Sequence, residues 1–224
     1  MTDSQAGAAK RVGRPRDARV DAAILAAAAV LLDEHGYPPL TLEKVAHRAG
    51  TTRPALYRRW RSRAHLVLDA LAPRIAETPV PDTGCTICDL NEGVQIFVRV
   101  YERLRPDVLG PLLAECATDA DLRRSFMASL FEPPRRAVAQ LLANAVARGD
   151  LRGDLDSTLA VDTLGSFIHY RALFGHAPVS GTEIERAVEA LLCGFATDYE
   201  ALVEHARSVP GRTQRHAAHL PEGG

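Results

Sequence analysis

Three arginines and a tyrosine crowd one short stretch of the chain: Arg53, Arg58 and Arg59 flank Tyr57 within TTRPALYRRW, residues 51–60. Guanidinium groups make bidentate hydrogen bonds to guanine edges and to phosphates, and hydroxyls bond phosphate oxygens. That is the chemistry of a nucleic-acid contact, and it needs a rigid mount. The preceding TLEKVAHRAG supplies one. Leu42, Val45, Ala46 and Ala49 fall at i, i+3, i+4 and i+7, so they share one apolar helix face. Thr41 is suited to cap that helix, and Glu43 to the positive end of its dipole. Leu40 and Val45 fit a hydrophobic staple, and Gly50 can take the positive φ that ends the helix. A second helix is expected from Thr52, with Pro54 in its first turn and Leu56 and Trp60 turned to the core. Thr51, Thr52, Arg53, Ala55, Tyr57, Arg58 and Arg59 are then left facing outward. Two helices about a glycine turn, the second one basic, form the layout of a helix-turn-helix over residues 41–60.

The stretch before it supports this unit. Asp17 is placed to cap a helix bearing Val20, Ile24, Ala28, Leu31 and Leu32, with Gly36 to end it. That Ala-rich run imitates a signal peptide only superficially, because Asp17 and Asp21 precede it and its spacing is amphipathic. No apolar run approaches the length of a membrane span. The net charge of −1 conceals an asymmetry: residues 1–72 carry 12 Lys+Arg against 7 Asp+Glu, and the remainder 15 against 21. A basic amino-terminal part on an acidic remainder suits a DNA reader with a separate second domain. Residues 1–16 read as a disordered basic arm, able to follow phosphates or enter a minor groove, and 207–224 as a flexible tail.

The chain is similar to the TetR family of transcriptional regulators. The resemblance rests on Ala49-Gly50-Thr51-Thr52-Arg53-Pro54-Ala55-Leu56-Tyr57-Arg58-Arg59-Trp60, followed by Arg61-Ser62-Arg63-Ala64-His65-Leu66. Trp60 replaces the commoner phenylalanine and Arg63 the usual lysine, each keeping the physical role. The family implies an all-α chain: a DNA-binding domain over 17–77, then a regulatory, ligand-binding and dimerisation domain over 78–206. Resemblance and chemistry together place Thr41, Tyr57 and Arg63 on phosphates, and Thr52, Arg53, Ala55 and Arg58 on base edges. Ala55 would meet a thymine methyl.

Past residue 89 the patterning is helical to His205, with Pro133-Pro134 expected to kink or break one long helix near Glu132. Asp82-Thr83-Gly84, Asp89-Leu90 and Ala147-Arg148-Gly149-Asp150-Leu151 resemble segments of the family's regulatory domain. Asp156 is expected as a helix cap rather than part of a cation loop. Cys85 and Cys88 form a CxxC, but a zinc site lacks a second ligand pair and a redox motif lacks its βαβ context, so incidental thiols are the favoured reading. Similar regulators pair their last two helices into a four-helix bundle. Leu164, Gly165, Ile168, Leu191, Gly194 and Phe195 are the residues expected there, and a twofold dimer implies a palindromic operator. Phe97, Tyr101, Phe126, Phe131, Asn144, Phe167, His169 and Tyr170 are candidates to line a pocket for a small-molecule effector, whose binding would release the DNA. The expectation is a cytoplasmic repressor that binds double-stranded DNA, with no catalytic residue, cofactor, metal or membrane partner. A P-loop, a dinucleotide fingerprint and a zinc-protease motif are all missing. The alternative is a ligand-independent or architectural DNA-binding protein.

Overall fold

The computed structural model describes residues 18–76 and 79–209. The basic arm, the cap at Asp17, the boundary residue Glu77 and the tail from 210 onward lie outside these.

The first helix, α1 (Ala18–His35), buries Ile24, Ala27, Ala28, Leu31 and Leu32 along one face. It stops at Gly36, whose φ of 78° no other residue adopts cheaply and whose N–H bonds the Leu32 carbonyl at 2.9 Å. There follow α2 (Leu42–Arg48), α3 (Arg53–Tyr57) and α4 (Arg63–Ala76). Next come α5 (Thr86–Leu104), α6 (Pro106–Thr118) and α7 (Ala120–Phe126), then α8 (Glu132–Arg148), α9 (Ser157–Phe174), α10 (Gly181–Phe195) and α11 (Tyr199–Ser208). Among the described residues the fold is all-α, with a single isolated bridge between Leu151 and Ala196. Helical patterning that runs on to His205 hides the division between α10 and α11. The break falls at Ala196–Asp198, and Asp198 caps the new helix through the Ala201 N–H.

Pro133 and Pro134 do not break the long helix. The chain passes from α7 through a π-turn (Met127–Phe131), in which the Glu132 N–H reaches back to the Met127 carbonyl. The wider turn spans the place where two residues without an N–H would leave carbonyls unserved, and both prolines then sit in the first turn of α8.

Packing divides differently from the sequence. Leu104, Val108, Leu112, Cys116, Leu122 and Phe126 share one buried cluster with Ile24, Val45, Leu56, Trp60 and Leu71. The helices around the helix-turn-helix therefore have no closed core of their own; α6, α7 and the π-turn complete it. A second cluster joins α5, α8, α9 and α10 through Phe97, Val138, Leu142, Leu164, Ile168 and Val188.

The junction of α1 with α6 is close. A Cβ on Gly36 would collide with the Asp107 carboxylate, itself held by Arg105, which also donates to the Asp33 carbonyl at 3.0 Å. Gly36→Ala should therefore cost more than Gly149→Ala, where φ is 82° but no atom lies within 4 Å of the added methyl. The first adds steric displacement to the backbone penalty of about 1 kcal/mol that both share. Thermal melts should show Gly149→Ala lower by roughly 2–4 °C and Gly36→Ala by clearly more. Equal shifts would mean that Asp107 moves aside freely.

Candidate nucleic-acid interface

The helix-turn-helix is assembled largely as its residue types require. Thr41 is the N-cap of α2, and its hydroxyl accepts from the Lys44 N–H at 3.2 Å. Leu42, Val45 and Ala46 are buried, and Gly50 turns the chain with φ 63°. Thr52 caps α3 by position, but its side chain makes no capping bond, so the hydroxyl is not consumed by the helix. Leu56 and Trp60 point inward, and the indole N–H of Trp60 donates to Asp69 at 2.8 Å. Two expectations for the outer face fail. Ala55 is buried, only 6% exposed, so its methyl is not presented to a thymine. Arg59 is also turned inward: it pairs with Asp21 of α1, and its Nη1 donates to the Ala55 carbonyl at 2.9 Å. This salt bridge pins α3 to α1 over the position that spacing alone left open.

Arg53, Tyr57 and Arg58 remain outward. Arg53 Nη2 donates to the Tyr57 hydroxyl at 3.0 Å, and its guanidinium lies 5.4 Å from the ring centroid. The phenol thus holds the arginine in an extended pose along α3. Thr41, Arg53, Tyr57 and Arg63 line a single cleft of about 520 Å³ together with Glu43, Arg61 and Ser62. Arg61 and Ser62 were not singled out from the sequence as contacts; the turn into α4 brings them there.

Arg63 departs from its expected role in this state. It lines the cleft, yet its Nη2 donates to Glu115 of α6 at 2.9 Å and its guanidinium stacks on Tyr37 at 4.1 Å. Weaker bonds run to the carbonyls of Pro38 and Leu40. Tyr37 also donates to Glu115, at 2.6 Å. Burial and this carboxylate push the Tyr37 phenol well above its ordinary range.

The pocket candidates separate into groups. Phe97, Tyr101 and Phe131 surround the His169 ring, with centroids 5.9, 5.0 and 6.1 Å away. Burial holds the His169 imidazole below its usual range, so it is neutral near pH 7. Its Nδ1 lies 2.6 Å from the Gly165 carbonyl, which makes Nδ1–H the donor and leaves Nε2 an acceptor. Phe126 belongs to the other cluster, around the helix-turn-helix. Asn144 accepts from Gln140 on an exposed face, Phe167 lies under Arg171, and Tyr170 is 60% exposed, so these three do not join the ring cluster.

The expected dimer residues on α9 are also placed otherwise. Leu164, Gly165 and Ile168 are buried inside the chain's own second cluster, and a Cβ on Gly165 would sit 3.4 Å from Phe97. This side of α9 therefore faces Phe97 and His169 within the chain. Leu191 and Phe195 pack partly on the same cluster, while Gly194 is exposed. The outer face of α9 carries Leu159, Thr163, Ser166, Tyr170, Leu173 and Phe174 instead, and Phe174 is 72% exposed.

The linker motifs meet in space. Asp89, buried, accepts from the Thr83 N–H and hydroxyl, and Arg148 reaches Asp82, Thr86, Asp89 and Asp150. Cys85 caps α5, with its sulfur 2.6 Å from that of Cys88. The Cys88 contact and burial push the Cys85 thiol up, so it stays protonated. Asp156 caps α9, as its position in the sequence implied.

Comparison with known proteins agrees with this geometry. Residues 24–70 match the family model described as bacterial regulatory proteins, tetR family, and residues 80–191 that described as tetracyclin repressor-like, C-terminal domain. The HTH-type transcriptional regulator YdeS of Bacillus subtilis (strain 168) is 31% identical over 77% of this chain and 85% of its own length. The DNA-binding transcriptional repressor TetR of Mycobacteroides abscessus is 29% identical over 76% of this chain and 90% of its own. The crystal structure of the TetR family transcription regulator SCO0332 superposes with a TM-score of 0.64 at 31% identity, covering 79% of this chain and 98% of that one. A helix-turn-helix with an open basic cleft, a helical second domain and these likenesses agree: the chain belongs to the TetR family of transcriptional regulators.

Proposed function

We propose that the cleft between α2, α3 and the start of α4 seats the DNA backbone, and that α3 enters the major groove. The observation that carries this is the gathering of Thr41, Arg53, Tyr57 and Arg63 around one open, basic concavity. Thr41 and Tyr57 offer hydroxyls to phosphates, Arg63 a cation, and the exposed Thr52, Arg53 and Arg58 are the contacts to base edges. Two copies related by a twofold axis through the outer face of α9 present two such helices to a palindromic operator. The aromatic ring cluster around neutral His169 is the effector site. Nε2 offers an acceptor there, suiting an apolar, ring-bearing molecule with one hydrogen-bond donor. An effector that prefers the DNA-free form 100-fold would shift the balance by about 2.7 kcal/mol, and the outcome is derepression. The chain's role is binding, not catalysis. No described helix is long and apolar enough to cross a membrane.

The test is binding to the duplex upstream of the chain's own gene against a scrambled duplex, across a salt series. Arg53→Ala should lose about 1–3 kcal/mol, roughly 5- to 150-fold, on the native duplex and blur its preference over the scrambled one. Tyr57→Phe should weaken both duplexes equally, by about 1 kcal/mol, and leave the salt slope alone. Full retention of preference in Arg53→Ala would remove α3 from the reading of bases. An architectural role predicts no preference among duplexes of equal length in any variant.

A further inference from the structure

Two of the three cations lining the cleft are already engaged, and both by carboxylates from beyond the helix-turn-helix. Arg63 is held by Glu115 of α6 at 2.9 Å, and Arg61 by Asp121 of α7. Neither pair is deeply buried; the side chains are 32% and 40% exposed in the first and 73% and 43% in the second. Exposed pairs of this kind exchange partners at little cost, because water and salt already screen them. A DNA phosphate is a competing partner of the same charge and offers similar acceptor oxygens. Each acidic residue has a second partner, in the α1–α2 connection for Glu115 and on α7 itself for Asp121. Glu115 accepts from Tyr37 at 2.6 Å, and Asp121 also pairs with Arg124, one turn along α7. Arg61 and Arg124 together hold the Asp121 carboxyl well below its ordinary range, so it is charged throughout the neutral region. The third cation, Arg53, donates to the Tyr57 hydroxyl in this cleft.

We propose that Glu115 and Asp121 compete with the DNA backbone for Arg63 and Arg61, so that the position of α6 and α7 against α4 sets how many cations the protein offers to DNA. This rests on reading the cleft as the DNA interface. The arrangement described here, with both carboxylates engaged, is the weak-binding one. Withdrawal of α6 and α7 by a small shift frees two arginines without any change within α3, so affinity is regulated while base preference is kept. The π-turn after α7 packs against α4 and carries Phe131 to His169, which gives the aromatic cluster a physical connection to the same helices.

The experiment measures binding of the full chain to a 30-base-pair duplex of arbitrary sequence over a salt series, since phosphate contacts are sequence-independent. Glu115→Gln and Asp121→Asn should each tighten binding at low salt and steepen the slope of log affinity on log salt by about 0.9 per arginine released. In an Arg63→Ala background, Glu115→Gln should have no effect, which separates competition for that arginine from a general loss of negative charge. If Glu115→Gln melts early, Asp121→Asn, at the more exposed pair, carries the test alone. An unchanged slope in both carboxylate variants, with Tyr57→Phe still weakening binding, overturns the competition and leaves the interface standing. If Tyr57→Phe and Arg63→Ala are also without effect, both readings fall.

Discussion

Replacing Tyr170 and Phe174 together by glutamate should yield a folded monomer that binds operator DNA at least about 100-fold more weakly. On α9, Leu159, Tyr170, Leu173 and Phe174 are 62%, 60%, 42% and 72% exposed, and the Tyr170 and Phe174 rings lie 5.1 Å apart. Large apolar side chains arrayed along one exposed helix face mark an interaction surface. In a twofold interface each residue acts twice, so the double substitution buries four carboxylates where rings would meet. Unpaired charges there cost several kcal/mol. The helix itself should survive, because these side chains support no core of their own protomer. The DNA effect follows from linkage: a dimer delivers its second recognition helix at millimolar effective concentration, and the gain from two linked sites is about 10²–10⁴. Light scattering would give the mass and a gel shift the affinity. A variant that keeps twice the monomer mass would place the interface elsewhere, with the exposed part of α10 around Gly194 the next surface to examine.

Trp60→Ala should unfold the amino-terminal helices and take part of the regulatory half with them. Trp60 is only 7% exposed, packs in the cluster with Leu56 and Leu71, and satisfies Asp69 through its indole N–H. Deleting a buried aromatic of this size costs about 3–5 kcal/mol, a large share of the stability of an ordinary domain. Because α6 and α7 complete this same cluster, the loss should not stay on one side of residue 77. A single cooperative thermal transition is expected for the parent chain, and a lowered but still single one for Trp60→Phe, which fills most of the space but leaves Asp69 without its donor. Circular dichroism follows the helices, and Trp60 fluorescence in the parent chain, which has no other tryptophan, reports the amino-terminal end. Two transitions, with Trp60 reporting only the first, would show that the helix-turn-helix unfolds independently despite the shared core.

Local rules sufficed wherever the deciding interaction spans about one helical turn. Thr41 caps α2 through the Lys44 N–H three residues on, Gly36 and Gly50 take positive φ where helices end, and Leu56 and Trp60 lie one turn apart on the buried side. The same holds for Asp156 before α9 and for the disturbance at Pro133-Pro134, though not for its form as a π-turn. Helical class and the position of the helix-turn-helix follow from such signals, because capping and apolar periodicity act within a few residues and leave a readable pattern.

What tertiary structure alone decided are the pairings across long separations. Arg59 meets Asp21 across 38 residues and Ala55 is buried, so two residues leave the expected DNA face. Arg63 meets Glu115 across 52 residues, which gives the expected phosphate contact a second partner on α6. On α9, apolar spacing assigns Leu164 and Ile168 to a dimer interface, and Tyr170 is expected at a pocket. Spacing could not say which side would meet the chain's own core, since both are apolar and the helix is satisfied either way. The arrangement of α5 and α8 resolves it: Leu164 and Ile168 pack with Phe97, Val138 and Leu142, so that face turns inward and the Tyr170 face stays exposed. Spacing along a helix records which residues share a face, whereas the identity of the partner across that face is set by where the other helices pack.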